Sequence, residues 1–197
     1  MKIVSLKAFP STNLADEAKN FQVSAGAQIS TSNIELRYQV SGLTAEAFAQ
    51  VILPKGSAKP ERKEKLWEGT CFECFIPSLG ISDYLEFNGA PCGDWNWYSF
   101  KNYRIGMEVI SLTQAEEPKM ISMKLTSLSL ELTWSLPLSG VARGFSSRSE
   151  ILPKLEPLGL SVILKTKPQT LYWALFHDGA KPDFHSRASF NYDPFRN

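Results

Sequence analysis

The stretch from Leu66 to Arg104, LWEGTCFECFIPSLGISDYLEFNGAPCGDWNWYSFKNYR, holds three of the five tryptophans and all three cysteines, and its reading decides the fold. Thr70 to Pro77 and Tyr84 to Asn88 are aromatic and β-branched runs, separated by SLGISD, a loop with the Ser, Gly and Asp of a turn. They read as an antiparallel hairpin. With Pro77 opposite Tyr84, Phe75 meets Glu86 and Glu73 meets Asn88, because cross-strand partners share a face. Glu73, Phe75, Glu86 and Asn88 then line one side, and Phe72, Cys74, Ile76, Leu85 and Phe87 the other. A one-residue slip would mix carboxylates into the apolar side, where an unpaired charge is costly, so this parity is favoured. The hairpin has one core face and one polar face.

Cys71 and Cys74 spell C-x-x-C, a redox or half-zinc spacing on a helix or loop. On a strand the two thiols point to opposite faces about 10 Å apart, beyond disulfide reach. Cys74 reads as a small core hydrophobe and Cys71 as a partly shielded thiol. The alternative, a metal site with Cys92 and a histidine, lacks the expected second close pair.

On either side of this hairpin, strand patterns dominate. Lys2 to Ala8 alternates, Phe21 to Ser24 and Gln28 to Thr31 read as short strands around Ala25-Gly26, and Ile34 to Val40 alternates cleanly up to a Ser41-Gly42 turn. Thr44 to Gln50 suits one helical turn or two. Pro54 to Lys65 alternates Lys and Arg with Glu and has no apolar anchor, so it reads as a solvated loop. Met120 to Leu125 and Leu128 to Trp134 form a second hairpin, ended by Pro137. Ser139 to Gly159 is loop-rich, with a short helical turn around Ser149 to Leu155. Gly159 to Thr166 and Leu171 to Phe176 are the last strands, and the aperiodic tail HDGAKPDFHSRASFNYDPFRN wraps the surface. Roughly ten short strands with regular turn signals argue for an all-β, two-sheet antiparallel β-sandwich spanning residues 1–197 as a single domain.

Composition is that of a globular protein, 43% hydrophobic and 21% charged. A formal charge of +1 gives no electrostatic reason for a nucleic-acid or membrane partner. The start, MKIVSLKAFPST, reads as a first strand rather than a signal peptide, and with an odd cysteine count this points to a reducing cytoplasm and free thiols.

Trp67, Trp95, Trp97, Tyr98, Tyr103, Tyr172 and Trp173 lie at strand ends or turns beside Glu, Asp, Asn or Arg. Singly, each is a packing residue; as a group beside carboxylates and amides they suit a flat, hydroxyl-rich ligand whose C–H face stacks on a ring. Glu73 and Glu86 also allow a glycosidase reading, weighed below binding. His177 and His185 frame HDGAKPDFH, a modest signal for ligand or metal binding.

Three blocks, LWEGTCFECFI, YLEFNGAPCGDWNWYSFKNYRIGM and YWALFHDGAKPDFHSRASF, together resemble the bacterial DOMON-like domain proteins, relatives of the family 9 carbohydrate-binding modules. The resemblance spans Leu66 to Phe190. It implies a jelly-roll sandwich and a non-catalytic role in which two Trp residues enclose a sugar, here Trp67 and Trp173, with Glu73 as polar partner and Asn88 and Arg104 as weaker transfers. His177 completes the candidate set. The wider group includes haem binders with Met and His ligands, for which Met107 and His177 are the candidates. The remaining alternative is a protein-interaction domain without a small ligand.

Overall fold

The computed structural model describes residues 1–10, 15–56, 59–78, 82–145 and 157–195. In chain order its strands are β1 (Val4–Ser5), β2 (Lys7–Ala8), β3 (Phe21–Ile29), β4 (Asn33–Gly42), β5 (Cys71–Pro77), β6 (Tyr84–Gly89), β7 (Trp95–Phe100), β8 (Glu108–Val109), β9 (Lys119–Leu125), β10 (Ser129–Pro137), β11 (Gly159–Lys165) and β12 (Thr170–Ala174). Short helices α1 (Ala15–Ala18), α2 (Ala45–Phe48) and α3 (Leu138–Gly144) lie between them.

Alternation builds the first sheet. Ile34, Leu36, Tyr38 and Val40 of β4 are fully buried, and β10 places Leu136, Trp134, Leu132 and Leu130 opposite them. This five-stranded sheet runs β1-β3-β4-β10-β9. Hydroxyls close its hairpins: Ser30 Oγ accepts from the backbone N–H of Ser32 and Asn33, and Thr126 Oγ1 from those of Leu128 and Ser129.

The second sheet runs β2-β12-β11-β5-β6-β7-β8. The N-terminal segment joins both sheets, β1 pairing with β3 and β2 with β12, with Leu6 buried at the crossing. The β5–β6 hairpin takes the register that the carboxylate argument favours: Pro77 faces Tyr84, Phe75 faces Glu86 and Glu73 faces Asn88. Its apolar side, Phe72, Cys74, Ile76, Leu85 and Phe87, fills the space between the sheets. There Tyr38 meets Phe72 at 5.3 Å and Phe87 meets Trp134 at 5.1 Å between ring centroids.

Several details differ from the sequence reading. Phe21 to Ile29 is one continuous strand, since Ala25 and Gly26 pair in register with Tyr38 and Arg37. The loop before β5 is held down: Asp94 accepts from Glu61 N–H at 3.0 Å and pairs with Lys63 at 2.6 Å, and Arg62 lies 4.5 Å over the Trp95 ring. Helix α3 forms at the start of the stretch Ser139 to Gly159, which reads as loop-rich. Arg143 forks onto Glu116, and a Cβ on Gly140 would stand 2.6 Å from Glu116 O. The helical turn read around Ser149 to Leu155 lies outside the described residues.

The main difference concerns the hairpin's polar side. Every position of β5 and β6 is buried, because the seven-stranded sheet is covered on both faces. The aperiodic tail does the covering. Phe184 and Phe190 pack with Phe75, Tyr84, Tyr98, Phe100 and Ile163 into a second apolar cluster outside the sandwich core. Tyr192 goes further, into the main core, where its hydroxyl lies 2.7 Å from Lys2 O and 2.8 Å from Ala27 O.

Candidate ligand-binding site

Register brings polar side chains into rows on the covered outer face. One row crosses Ser161, Glu73, Asn88 and Asn96; the next crosses Phe75, Glu86 and Tyr98. Ser161 Oγ donates to Glu73 Oε2 at 2.9 Å, and Asn88 Nδ2 donates to Glu86 Oε1 at 2.7 Å. Cys71 donates its thiol proton to Asn88 Oδ1 at 3.3 Å, so this thiol is fully buried rather than partly shielded. Cys74 sits on the opposite face in the main core, and all three cysteines are free.

The tail and the loop after β7 complete the enclosure. Tyr84 stacks on Phe100 at 4.8 Å, and its hydroxyl accepts from Arg104 N–H at 3.2 Å and meets His185 Nδ1 at 2.8 Å. This pattern is met when Tyr84 gives its proton to Nδ1. The imidazole proton then sits on Nε2, which faces Glu86 Oε2 at 3.7 Å. Arg104 adopts the left-handed backbone region, φ 54°, and its guanidinium pairs with Asp183 at 3.0 Å, while Tyr103 donates to the same carboxylate.

Between these elements opens a cavity of about 420 Å³. Its floor is Glu73, Glu86 and Ile163. Its walls are Trp67, Tyr172, Phe100, Phe184, Pro182 and Met107, with Arg104 and His185 on the tail side. Trp67 is carried by a 3-10 turn, Leu66–Glu68, and braced edge-on by Tyr98 at 5.7 Å. A larger groove of about 660 Å³ at the β1–β3–β12 end is bordered by Lys19 and Gln39 and, among the described residues, by no acidic side chain.

Burial governs the electrostatics. Desolvation, and then the neighbouring Glu86, push Glu73 well above the ordinary carboxylate range, against the lowering contributed by Ser161 and Arg104. Desolvation pushes Glu86 up to about 7, opposed by the Asn88 hydrogen bond and by Arg104. His185 is driven down to about 4, by burial first and then by Arg104, so it is neutral at pH 7. The floor is a pair of carboxyls that resists full ionisation.

The cavity gathers Trp67, Glu73 and Arg104 from the sequence-derived set. Asn88 lies behind Glu86 as its hydrogen-bond donor. Trp173 takes the other face: it pairs with Val162, which points between the sheets, so its ring packs against Phe21 in the core. His177 lies apart, its Nε2 2.9 Å from Lys7 O and its ring edge-on to Phe9. Of the two residues named for a haem, Met107 lines the cavity and His177 lies outside its lining. Among the described residues no three His, Cys, Asp or Glu side chains are placed to hold a metal ion.

Eight cavity residues were absent from that set, among them the polar or aromatic Glu86, Tyr172 and His185. Glu86 was readable from its shared hairpin face with Glu73. Tyr172 needed the pairing of β12 with β11, which sets it beside Ile163. His185 was singled out with His177 in HDGAKPDFH, but the aperiodic tail gave no sign that it, rather than His177, would reach this cavity.

Fold and site together define an all-β sandwich with a ligand-sized cavity on the outer face of its larger sheet. No family model and no curated protein matches the sequence. The fold is similar to that of a candidate carbohydrate-binding protein from Bacteroides uniformis ATCC 8492, with TM-score 0.66 and 16% identity over 97% of this chain and 84% of that one. More distant are two structures of a family 9 carbohydrate-binding module from Caldicellulosiruptor kristjanssonii. The one with cellotriose has TM-score 0.43 and 8% identity over 89% of this chain and 72% of that one. The one with glucose has TM-score 0.38 and 9% identity over 79% and 67%.

Proposed function

We propose that the cavity under the tail binds a carbohydrate without catalysis. The observation that carries this is the opposition of surfaces: the rings of Trp67, Tyr172, Phe100 and Phe184 enclose a floor of buried carboxyls. A sugar has a C–H face that stacks on rings and hydroxyls that donate to carboxylates. The sandwich it shares with the Bacteroides protein agrees with this reading at the level of the fold.

Both acids rise from one sheet face and meet a ligand from the same side. Hydrolysis asks for two carboxyls flanking the scissile bond, so this geometry suits holding hydroxyls better than cleaving between sugars.

Titration with mono- and oligosaccharides, followed by tryptophan fluorescence and thermal shift, tests the reading. A ligand that binds only the folded state raises Tm by mass action. Trp67→Ala and Tyr172→Ala are each expected to weaken a responsive sugar by at least about tenfold, the loss of one well-packed aromatic contact. A flat response to the whole panel, or unchanged affinity in both variants, would overturn it.

A further inference from the structure

The cavity floor has spare charge capacity. Glu73 uses Oε2 to accept from Ser161, and Glu86 uses Oε1 to accept from Asn88. Their other oxygens have no hydrogen-bond donor among the described residues. Glu86 is only 5% exposed, and the nearby His185 Nε2 stands 3.7 Å from its Oε2, beyond hydrogen-bond length. Among the described residues no lysine lines the cavity, and the one guanidinium there, Arg104, is committed to Asp183. Among the described residues, two buried acids therefore share a space with aromatic rings and no uncommitted lining cation. A buried unpaired carboxylate is costly, and rings attract a cation placed over their faces. One ligand group satisfies both surfaces.

We propose that the ligand carries a protonated amino group, seated at Glu73 and Glu86 and flanked by Trp67 and Tyr172. This deepens the carbohydrate reading, on which it rests, and names an amino sugar with a free ammonium as the substrate class. The ammonium donates to Glu73 Oε1 and Glu86 Oε2. When the pair holds one proton, that proton is released to solvent as the ammonium enters, so the net charge at the floor stays at −1.

Titratable and charged groups surround this pair. They are Cys71 on β5, Tyr84 on β6, Tyr98 on β7, Tyr172 on β12, Arg104 on the following loop, and His185 and Asp183 on the tail. Burial pushes the Cys71 thiol and the Tyr84 and Tyr98 phenols up, away from neutrality, so proton release near pH 7 reports on the carboxyls.

The test is calorimetric titration of the intact chain with glucosamine, glucose and N-acetylglucosamine at pH 5.5 and 7.5, with propylamine as a sugar-free cation. Glucosamine is expected to bind about tenfold more tightly than glucose at pH 7.5, the margin of a charge-assisted over a neutral hydrogen bond. That preference should shrink at pH 5.5, and the glucosamine enthalpy should differ between buffers of different ionisation heat. In Glu86→Gln, checked for folding by its melting curve, the glucosamine-to-glucose ratio should collapse towards one. Glucose or N-acetylglucosamine binding as tightly as glucosamine would overturn the inference and leave carbohydrate binding standing. Propylamine binding without any sugar would support the cation seat and remove the carbohydrate reading. Silence from every compound would overturn both.

Discussion

The two faces of the β5–β6 hairpin are buried to the same degree and do opposite things. The inner face presents Phe72, Cys74, Ile76, Leu85 and Phe87 to a dry core. The outer face presents Glu73 and Glu86 to a cavity walled mainly by rings, with Asn88 behind Glu86. Burial alone therefore does not distinguish core from cavity lining. What separates the faces is whether the buried groups are satisfied. Glu116 sharpens the contrast: it is also little exposed, yet a fork from Arg143 and the Thr113 N–H and hydroxyl hold it down at about 2. Glu86 has one amide donor and is pushed the other way.

The largest expected effect tests the contrast directly. Phe87→Ala empties the inner face and should cost about 3–5 kcal/mol of stability, whereas Trp67→Ala, at the half-buried cavity wall, should cost about 1 kcal/mol. Urea unfolding of both variants decides; equal losses would mean that the outer face is core as well.

Next in size is the effect of Glu86→Gln. Because the folded-state value of Glu86 is raised from 4.5 to about 7, its stabilising proton is fully bound below pH 4.5 and lost as pH rises through 7. At pH 8 the wild type carries the whole penalty, and Glu86→Gln should be more stable by on the order of 2 kcal/mol. The gain should vanish below pH 4.5. His185 has the opposite sign: lowered from 6.5 to about 4, it favours the folded state above pH 6.5 and loses that contribution on acidification. With Glu86 neutral, the variant should show this acid sensitivity uncovered. Denaturant melts from pH 4 to 8 measure both slopes, and a pH-independent difference between the two proteins would refute the assignment.

The smallest effect is expected at the rim. Arg104→Gly relieves a left-handed backbone and removes a half-exposed ion pair worth about 0–1 kcal/mol, so stability should change by less than about 1 kcal/mol. The guanidinium also lowers both carboxyls, so its loss should move their titration upward. Carbon-13 NMR of the glutamate side chains reads that movement; unchanged titration would place Arg104 outside the electrostatics of the floor.

Much of the sandwich was legible because strand chemistry is local. Alternation located β4 and β10, and the cost of burying carboxylates between sheets chose the β5–β6 register. The candidate site was legible in part. Glu73 follows from that register, but the choice of Trp173 over Tyr172 does not, since LYWALF is apolar on both parities and only pairing with β11 orients it. The tail was read as wrapping the surface and His185 was named within it, but without a period neither the face it covers nor the place of His185 in the cavity was readable.

By itself, the sequence determined which side chains share a face, because successive residues of an extended chain point to opposite sides and only some pairings spare the carboxylates. Tertiary structure alone decided that both faces are covered. It seated Phe184, Phe190 and His185 more than a hundred residues away along the chain from Glu73, and in doing so turned a polar strand face into a pocket. Contacts at such separation are set by the packing of the assembled chain, and no local pattern in the tail encodes them.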